Sequence, residues 1–180
     1  MKIYTSLQKQ SLPLCVALGY FDGIHKGHRK VISKTLKYKS LGLIPSVFTF
    51  SESPRATLSG IPENRIIDNI TKQNILENIG IEILYMIDFR TICNLSAEEF
   101  VRDILKDTLN AKYVVCGFNY HFGKNGTADA NMLRKLCSNY GIKTKIIRPV
   151  LYKRRPISST RIRKAIKNND NTNVYRMLDK

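Results

Sequence analysis

"LCVALGYFDGIHKGHRK", residues 14–30, decides the fold. Leu14 to Leu18 is a short continuous apolar run ended by Gly19, the pattern of a strand buried on both faces in a parallel sheet. Leu18 to Lys30 then holds two of the chain's three histidines and three of its ten glycines. A helix follows the turn: from Gly27 to Leu41, Val31, Ile32, Thr35, Leu36 and Tyr38 share one face opposite lysines, and Gly42 supplies a stop. In a strand–turn–helix unit the N–H groups at the helix start, here His25 to Arg29, face whatever lies above the sheet, and an anion suits them. Gly23 and Gly27 permit close approach of a phosphate, and His25 and His28, one turn apart, project toward the same ligand. His-x-x-His also suits a metal, without a local third ligand, or two solvated histidines at a helix start.

Working outward, the same alternation repeats. Ser46–Phe50 is a second strand; Pro62 and Glu63 open a helix running to Asn78, with Gly80 beyond it; Ile81–Ile87 is a third strand. Ser96-Ala97-Glu98-Glu99 is a capping box before Phe100, Val101, Ile104 and Leu105, and Tyr113–Phe118 is a fourth strand. A helix with Met132, Leu133, Leu136 and Cys137 on one side stops at Gly141, Lys143–Val150 is a fifth strand, and Ser158–Lys167 is a capped basic helix. This is an α/β chain with a Rossmann-like, doubly wound parallel sheet of about five strands, expected in the order 3-2-1-4-5. Ligands bind beyond the carboxyl ends of such strands where the order reverses. The loops after strands one and four, "GYFDGIHKGH" and "GFNYHFGKNG", meet there and contain every histidine.

A length of 180 residues with 43% apolar content predicts one domain, residues 1–180. No signal-peptide pattern opens the chain and no run approaches the ~20 apolar residues of a membrane span, so a cytoplasmic protein is expected. Cys15, Cys93, Cys116 and Cys137 form no CxxC pair and are read as reduced core thiols rather than metal ligands or disulfides. Thirty Lys and Arg against fourteen Asp and Glu give a net charge of +16, which invites an anionic partner. Part of that excess is compositional, because the chain is rich in Lys, Asn and Ile and lacks Trp; neither nucleic acid nor a membrane is the expected partner.

Three further stretches carry polar chemistry. In "PISSTRIRKAI" (156–166), Ser158, Ser159 and Thr160 place hydroxyls and N–H groups at a helix start with Arg161 and Arg163 behind them, either a phosphate cradle or an ordinary capped basic helix. "VVCGFNYHFGKNGTAD" (114–129) and "FTFSESPR" (48–55) supply Phe50, Phe118 and Phe122, which are either an apolar slot or plain core. Asp22 and Asp129 are the carboxylates of the motif loops, Asp22 serving either the turn or a metal.

"GYFDGIHKGH" resembles the G-x-F-D-G-x-H-x-G-H form of the His-x-Gly-His signature in bacterial FAD synthetases, members of the nucleotidyltransferase superfamily. "PISSTRIRKAI" is similar to the phosphate-binding I-S-S-T-x-I-R motif of these adenylyltransferases. The 114–129 stretch resembles their G-F-D-F-R-F-G loop, with Asn119, Tyr120 and His121 in place of Asp, Phe and Arg. "FTFSESPR" stands where they have T-F-D-P-H-P, departing at Ser51, Glu52 and Ser53. The resemblance implies the nucleotidyltransferase fold and transfer of AMP from ATP to FMN, giving FAD and pyrophosphate. It implies catalytic roles for His25, His28 and Arg163, and ATP binding by Gly19, Tyr20, Phe21, Asp22, Gly27, Ser158, Ser159, Thr160 and Arg163. Flavin binding falls to Phe50, Gly117, Asn119 and Phe122. Mg²⁺ is expected with ATP, without direct protein ligands. The resemblance runs through "NVYRMLDK" (173–180), and the riboflavin kinase module of bifunctional members is expected to be absent from these residues. The alternatives are a nucleotidyltransferase acting on nicotinate mononucleotide, phosphopantetheine or a polyol phosphate, and a basic nucleic-acid-binding module.

Overall fold

The computed structural model describes residues 1–178. In chain order its elements are β1 (Lys2–Tyr4), β2 (Leu14–Leu18), α1 (Lys26–Leu36), β3 (Ile44–Phe50), α2 (Pro54–Ser59), α3 (Asn69–Ile79) and β4 (Ile83–Ile87). A short α4 (Ala97–Glu99) continues as a π-helical stretch, Phe100–Thr108, followed by β5 (Ala111–Gly117), β6 (His121–Phe122), β7 (Ala128–Asp129) and α5 (Ala130–Asn139). Then come β8 (Lys143–Ile147), the hairpin β9 (Leu151–Tyr152) and β10 (Arg155–Pro156), α6 (Ser159–Lys167) and α7 (Asn171–Leu178). The last two residues of "NVYRMLDK" lie outside the described residues.

Six strands form one parallel sheet in the order β1-β4-β3-β2-β5-β8. Its last five are the expected five strands in the expected 3-2-1-4-5 order. β1 is an added edge: three residues pairing only with β4 carry too little pattern to read as a strand. β2 lies at the centre and is buried at every position. Its side chains alternate between the faces, Leu14, Val16 and Leu18 packing with Leu105 and Leu133, and Cys15 and Ala17 with Ile32 of α1 and Leu76 of α3. Helices therefore cover both faces. α6, α7 and the β9–β10 hairpin add a third small cluster around Ile162 and Met177.

Four expectations change. The helix expected from Pro62 starts at Asn69, because Asp68 caps it by accepting from the Thr71 N–H at 2.6 Å, while residues 61–68 form no helix, with Glu63 and Ile66 bonded elsewhere. α1 ends at Leu36, a 3₁₀ turn continues through Leu41, and Gly42 closes it at φ 73°. The fifth strand stops at Ile147, where Arg148 and Pro149 leave the sheet. On α5 the buried face is Ala130, Leu133 and Cys137, whereas Met132 is 45% exposed. All four cysteines are free, and burial pushes the Cys15 and Cys116 thiols up to about 12 and Cys137 to about 11, which keeps them protonated. Among the described residues no helix is long and apolar enough to cross a membrane.

Candidate functional site

The first loop leaves β2 through a backbone that few sequences tolerate. Phe21, Gly23 and Ile24 all have positive φ, at 54°, 80° and 37°. Positive φ is strained for a β-branched residue, and complete burial of Ile24 in the core offsets it. A Cβ on Gly19 would lie 2.9 Å from the Phe21 ring, so only glycine fits there. The Tyr20 carbonyl is held from below by the Thr49 hydroxyl at 2.8 Å and the Lys72 ammonium at 3.1 Å.

The loop delivers the two histidines onto the start of α1. His25 is the N-cap, its Nδ1 accepting from the His28 N–H at 3.3 Å. An accepting Nδ1 puts the ring proton of neutral His25 on Nε2. The His28 ring stacks on His25 with centroids 3.6 Å apart and meets the Phe21 ring edge-on at 5.3 Å. Burial pushes His25 down to about 4; burial, then the neighbouring His25 and Lys72, hold His28 well below the usual histidine range. Both imidazoles are neutral at pH 7 and available as hydrogen-bond donors. Among the described residues His28 Nδ1 is buried without a hydrogen-bond partner.

α6 is tied to this loop across the length of the chain. Ser158 caps the helix by accepting from the Arg161 N–H, and the Ser159 hydroxyl donates to the Asp22 carbonyl at 2.9 Å. Arg163 pairs with Asp22 at 2.7 Å and with Glu63 at 2.7 Å, and Ser53 donates to the other Glu63 oxygen at 2.6 Å. The second Asp22 oxygen accepts from the Ile66 N–H at 2.9 Å. Both oxygens of Asp22 are thus engaged within the protein, one in the turn and one with Arg163. Arg161 likewise turns inward, to the carbonyls of Tyr152, Arg155 and Pro156. Asp129 caps α5 by accepting from two N–H groups. Among the described residues no group of three or more His, Cys, Asp or Glu side chains is placed to hold a metal ion.

A cleft of about 780 Å³ opens above the carboxyl ends of β2, β3 and β5. Gly19, Tyr20, Phe21, His25, Gly27 and His28 line it together with Ser158, Ser159 and Thr160. Phe50, Gly117, Asn119 and Phe122 line it too, so the sequence-derived groups from loops one, two and four and from α6 share one cavity. Asp22 and Arg163 stand behind this lining, bracing it. Beyond Phe50 and Phe122, Phe89 meets Phe50 edge-on at 5.1 Å and Tyr120 stacks on Phe122 at 5.8 Å, giving the cleft an aromatic end. Phe118 lines the cleft 47% exposed, so it is not core. Arg55 and Arg148 reach the same cleft.

Four contributors escape the motif reading: Lys72, whose spacing from Ile75, Leu76 and Ile79 puts it on the apolar face of α3 although a lysine ordinarily faces water; Glu63, read as a helix opener; and Phe89 and Arg148, which follow strands without a motif of their own. Two of them carried a signal: Lys72 in its helical spacing, and Arg148 in the Arg-Pro pair that ends a strand.

A six-stranded doubly wound sheet, a histidine-bearing loop at its switch point and a capped helix braced against that loop define a Rossmann-like domain of the nucleotidyltransferase type. The chain belongs to the FAD synthetase family, whose model matches residues 7–161. Over 168 residues it is 30% identical to a bifunctional riboflavin kinase/FMN adenylyltransferase of Buchnera aphidicola, covering 91% of this chain and 54% of the relative. It is 31% identical to an FAD synthetase of Listeria monocytogenes, covering 88% of this chain and 65% of the relative. The chain therefore spans about half to two thirds of the length of these curated relatives. A crystal structure described as a macrolide-efflux protein from Streptococcus pneumoniae superposes with a TM-score of 0.86 at 32% identity, covering 98% of this chain and 69% of that one.

Proposed function

We propose that the chain transfers AMP from ATP to FMN, forming FAD and releasing pyrophosphate. The observation that carries this reading is the pairing, in one cleft, of a neutral histidine couple at a helix N-terminus with an aromatic end large enough for a planar ring system. Family membership supports it.

The chemistry asks for little general-base assistance, because the attacking FMN phosphate is already anionic near neutral pH. An oxygen of that phosphate forms the new bond to the α-phosphorus of ATP as the bond to the bridging oxygen breaks, and pyrophosphate leaves in line with the attack. The difficulty is bringing two polyanions together, so the residues act by positioning and by stabilising charge. In this reading His25 and His28 donate to the α- and β-phosphate oxygens above the start of α1. The Gly19–Asp22 loop, Gly27 and Ser158–Thr160 seat ATP. Arg163 reaches a terminal phosphate by exchanging Glu63, the more exposed of its two carboxylates at 20% against 4% for Asp22. Phe50, Gly117, Asn119 and Phe122 receive the flavin. Mg²⁺ arrives with ATP as part of the substrate, and the reaction is proposed to run in the cytoplasm.

Incubating the chain with FMN, ATP and Mg²⁺ and following products by chromatography tests the reading. FAD and pyrophosphate are expected. Well-folded protein that makes neither, while adenylylating another phosphorylated acceptor, would move the assignment within the superfamily.

A further inference from the structure

Lys72 lies on α3 at 2% exposure, one of the largest fully enclosed side chains in the protein. Its ammonium donates to the Tyr20 carbonyl at 3.1 Å and sits 4.5 Å from the centre of the Tyr20 ring. Among the described residues no carboxylate lies within ion-pair distance of it. The charged and titratable groups that face it are Asp22 and Tyr20 from the first loop, Arg65 from the 61–68 segment, and His28 from α1. A buried ammonium without a close counter-ion opposes folding. Nor does the Tyr20 carbonyl require it, since Thr49 already donates there at 2.8 Å. An apolar side chain of similar length would fill the same space at lower cost.

The peptide itself indicates what the charge serves. Peptide groups are planar and trans, with C=O and N–H on opposite sides. The Tyr20 oxygen is drawn inward by Thr49 and Lys72, so the Phe21 N–H of the same peptide points the other way, and among the described residues it has no hydrogen-bond partner. Tyr20 and Phe21 both line the cleft. We infer that Lys72 is a positioning residue for phosphate binding: its buried ammonium locks the Tyr20–Phe21 peptide with the N–H toward the cleft and sets a fixed positive charge beneath the anion the loop receives. The inference rests on the ATP-binding role proposed for this loop. It adds a long-range electrostatic contribution that neutral histidines cannot make.

The test is ATP affinity by calorimetry, with FMN affinity by fluorescence quenching as the control, on the whole chain and on Lys72→Met and Lys72→Arg. Lys72→Met should weaken ATP binding about tenfold or more and leave FMN binding within about twofold. Unchanged ATP affinity in folded Lys72→Met, or an equal loss for both ligands, overturns the inference. Burial also holds Lys72 down to about 8. Wild-type ATP affinity should therefore fall from about pH 7.5 to 9.5 as the ammonium deprotonates, whereas Lys72→Arg, charged throughout, holds its affinity. Should Lys72→Met fail to fold, a flat wild-type profile over that range is by itself sufficient to overturn the role. ATP binding is read without the acceptor, so failure of wild-type protein to form FAD would refute the reaction assigned above while leaving this measurement to stand or fall independently.

Discussion

Gly27→Ala should separate the stability of α1 from the geometry of the site. Gly27 is the second residue of α1 and its φ lies outside the left-handed region, so alanine is favoured by the backbone, by up to ~1 kcal/mol in a helix interior. The new Cβ, however, would lie 3.0 Å from His25 Cε1 and 3.1 Å from its Nδ1. Ordinary carbon contacts sit at about 3.5–4.0 Å, so the ring must retreat by roughly 0.5 Å. It has little room, because His28 is stacked on it at 3.6 Å. The same shift stretches the 3.3 Å bond from the His28 N–H beyond useful length, and losing an N-cap costs about 1 kcal/mol, which offsets the propensity gain. Net stability should stay within about 1 kcal/mol of wild type, while displacement of both imidazoles lowers kcat by about 10- to 100-fold. FAD formation and thermal unfolding measured on one preparation give both quantities. An unchanged kcat with an equal or higher Tm would refute the proposed coupling between Gly27 and the histidine pair.

His28→Ala removes a donor proposed to act as charge develops, and should lower kcat by about 10²- to 10³-fold with much less change in KM for ATP; normal turnover with lowered stability would make His28 structural. Arg163→Lys leaves one ammonium where a guanidinium bridges Asp22 and Glu63, so ATP affinity should fall with FMN affinity nearly intact, and stability should drop by about 1–3 kcal/mol; equal ATP affinity and equal Tm would remove Arg163 from both roles. Burial holds native His25 at about 4, against about 6.5 unfolded, so the native chain binds fewer protons between these values. Its contribution, at most about 3 kcal/mol, is complete above about pH 6.5 and lost as pH falls to about 4, with His28 acting in the same direction. Urea midpoints that stay level from about pH 7 to 5 would contradict this.

The sheet is legible in sequence because its central strands are short, largely apolar segments between turn signals, and β2, between two neighbours and two helical layers, reads as "LCVAL" with no polar interruption. β1 is not legible, since Lys2–Tyr4 has two exposed residues of three and exists only because β4 offers an edge. Pro62 and Glu63 carry helix-opening chemistry, yet Glu63 bonds Ser53 and Arg163, and that tertiary demand overrides the local preference. The true helix start was marked by Asp68, an equally ordinary cap three residues before Thr71. The cleft-lining residues could be read from motifs because they lie on short loops directly after strands. Lys72 could be read only halfway: in "NITKQNILENI" its spacing from Ile75, Leu76 and Ile79 puts it on the apolar face, but nothing local says that this lysine lies under a loop 52 residues away.

β2 receives β3 early, but its other side waits for β5, whose first residue follows Leu18 by most of the length of the chain's first two thirds. On a ribosome adding about 5–20 residues per second, the most apolar strand would show a bare edge for roughly 5–20 s. The Ser159–Asp22 bond, spanning 137 positions, closes later still. Until then no pocket exists for a nucleotide to occupy, so ligand cannot rescue nascent protein during its most aggregation-prone interval. A cell that overproduces this chain should gain more from a holdase that shields strand edges than from a larger supply of substrate.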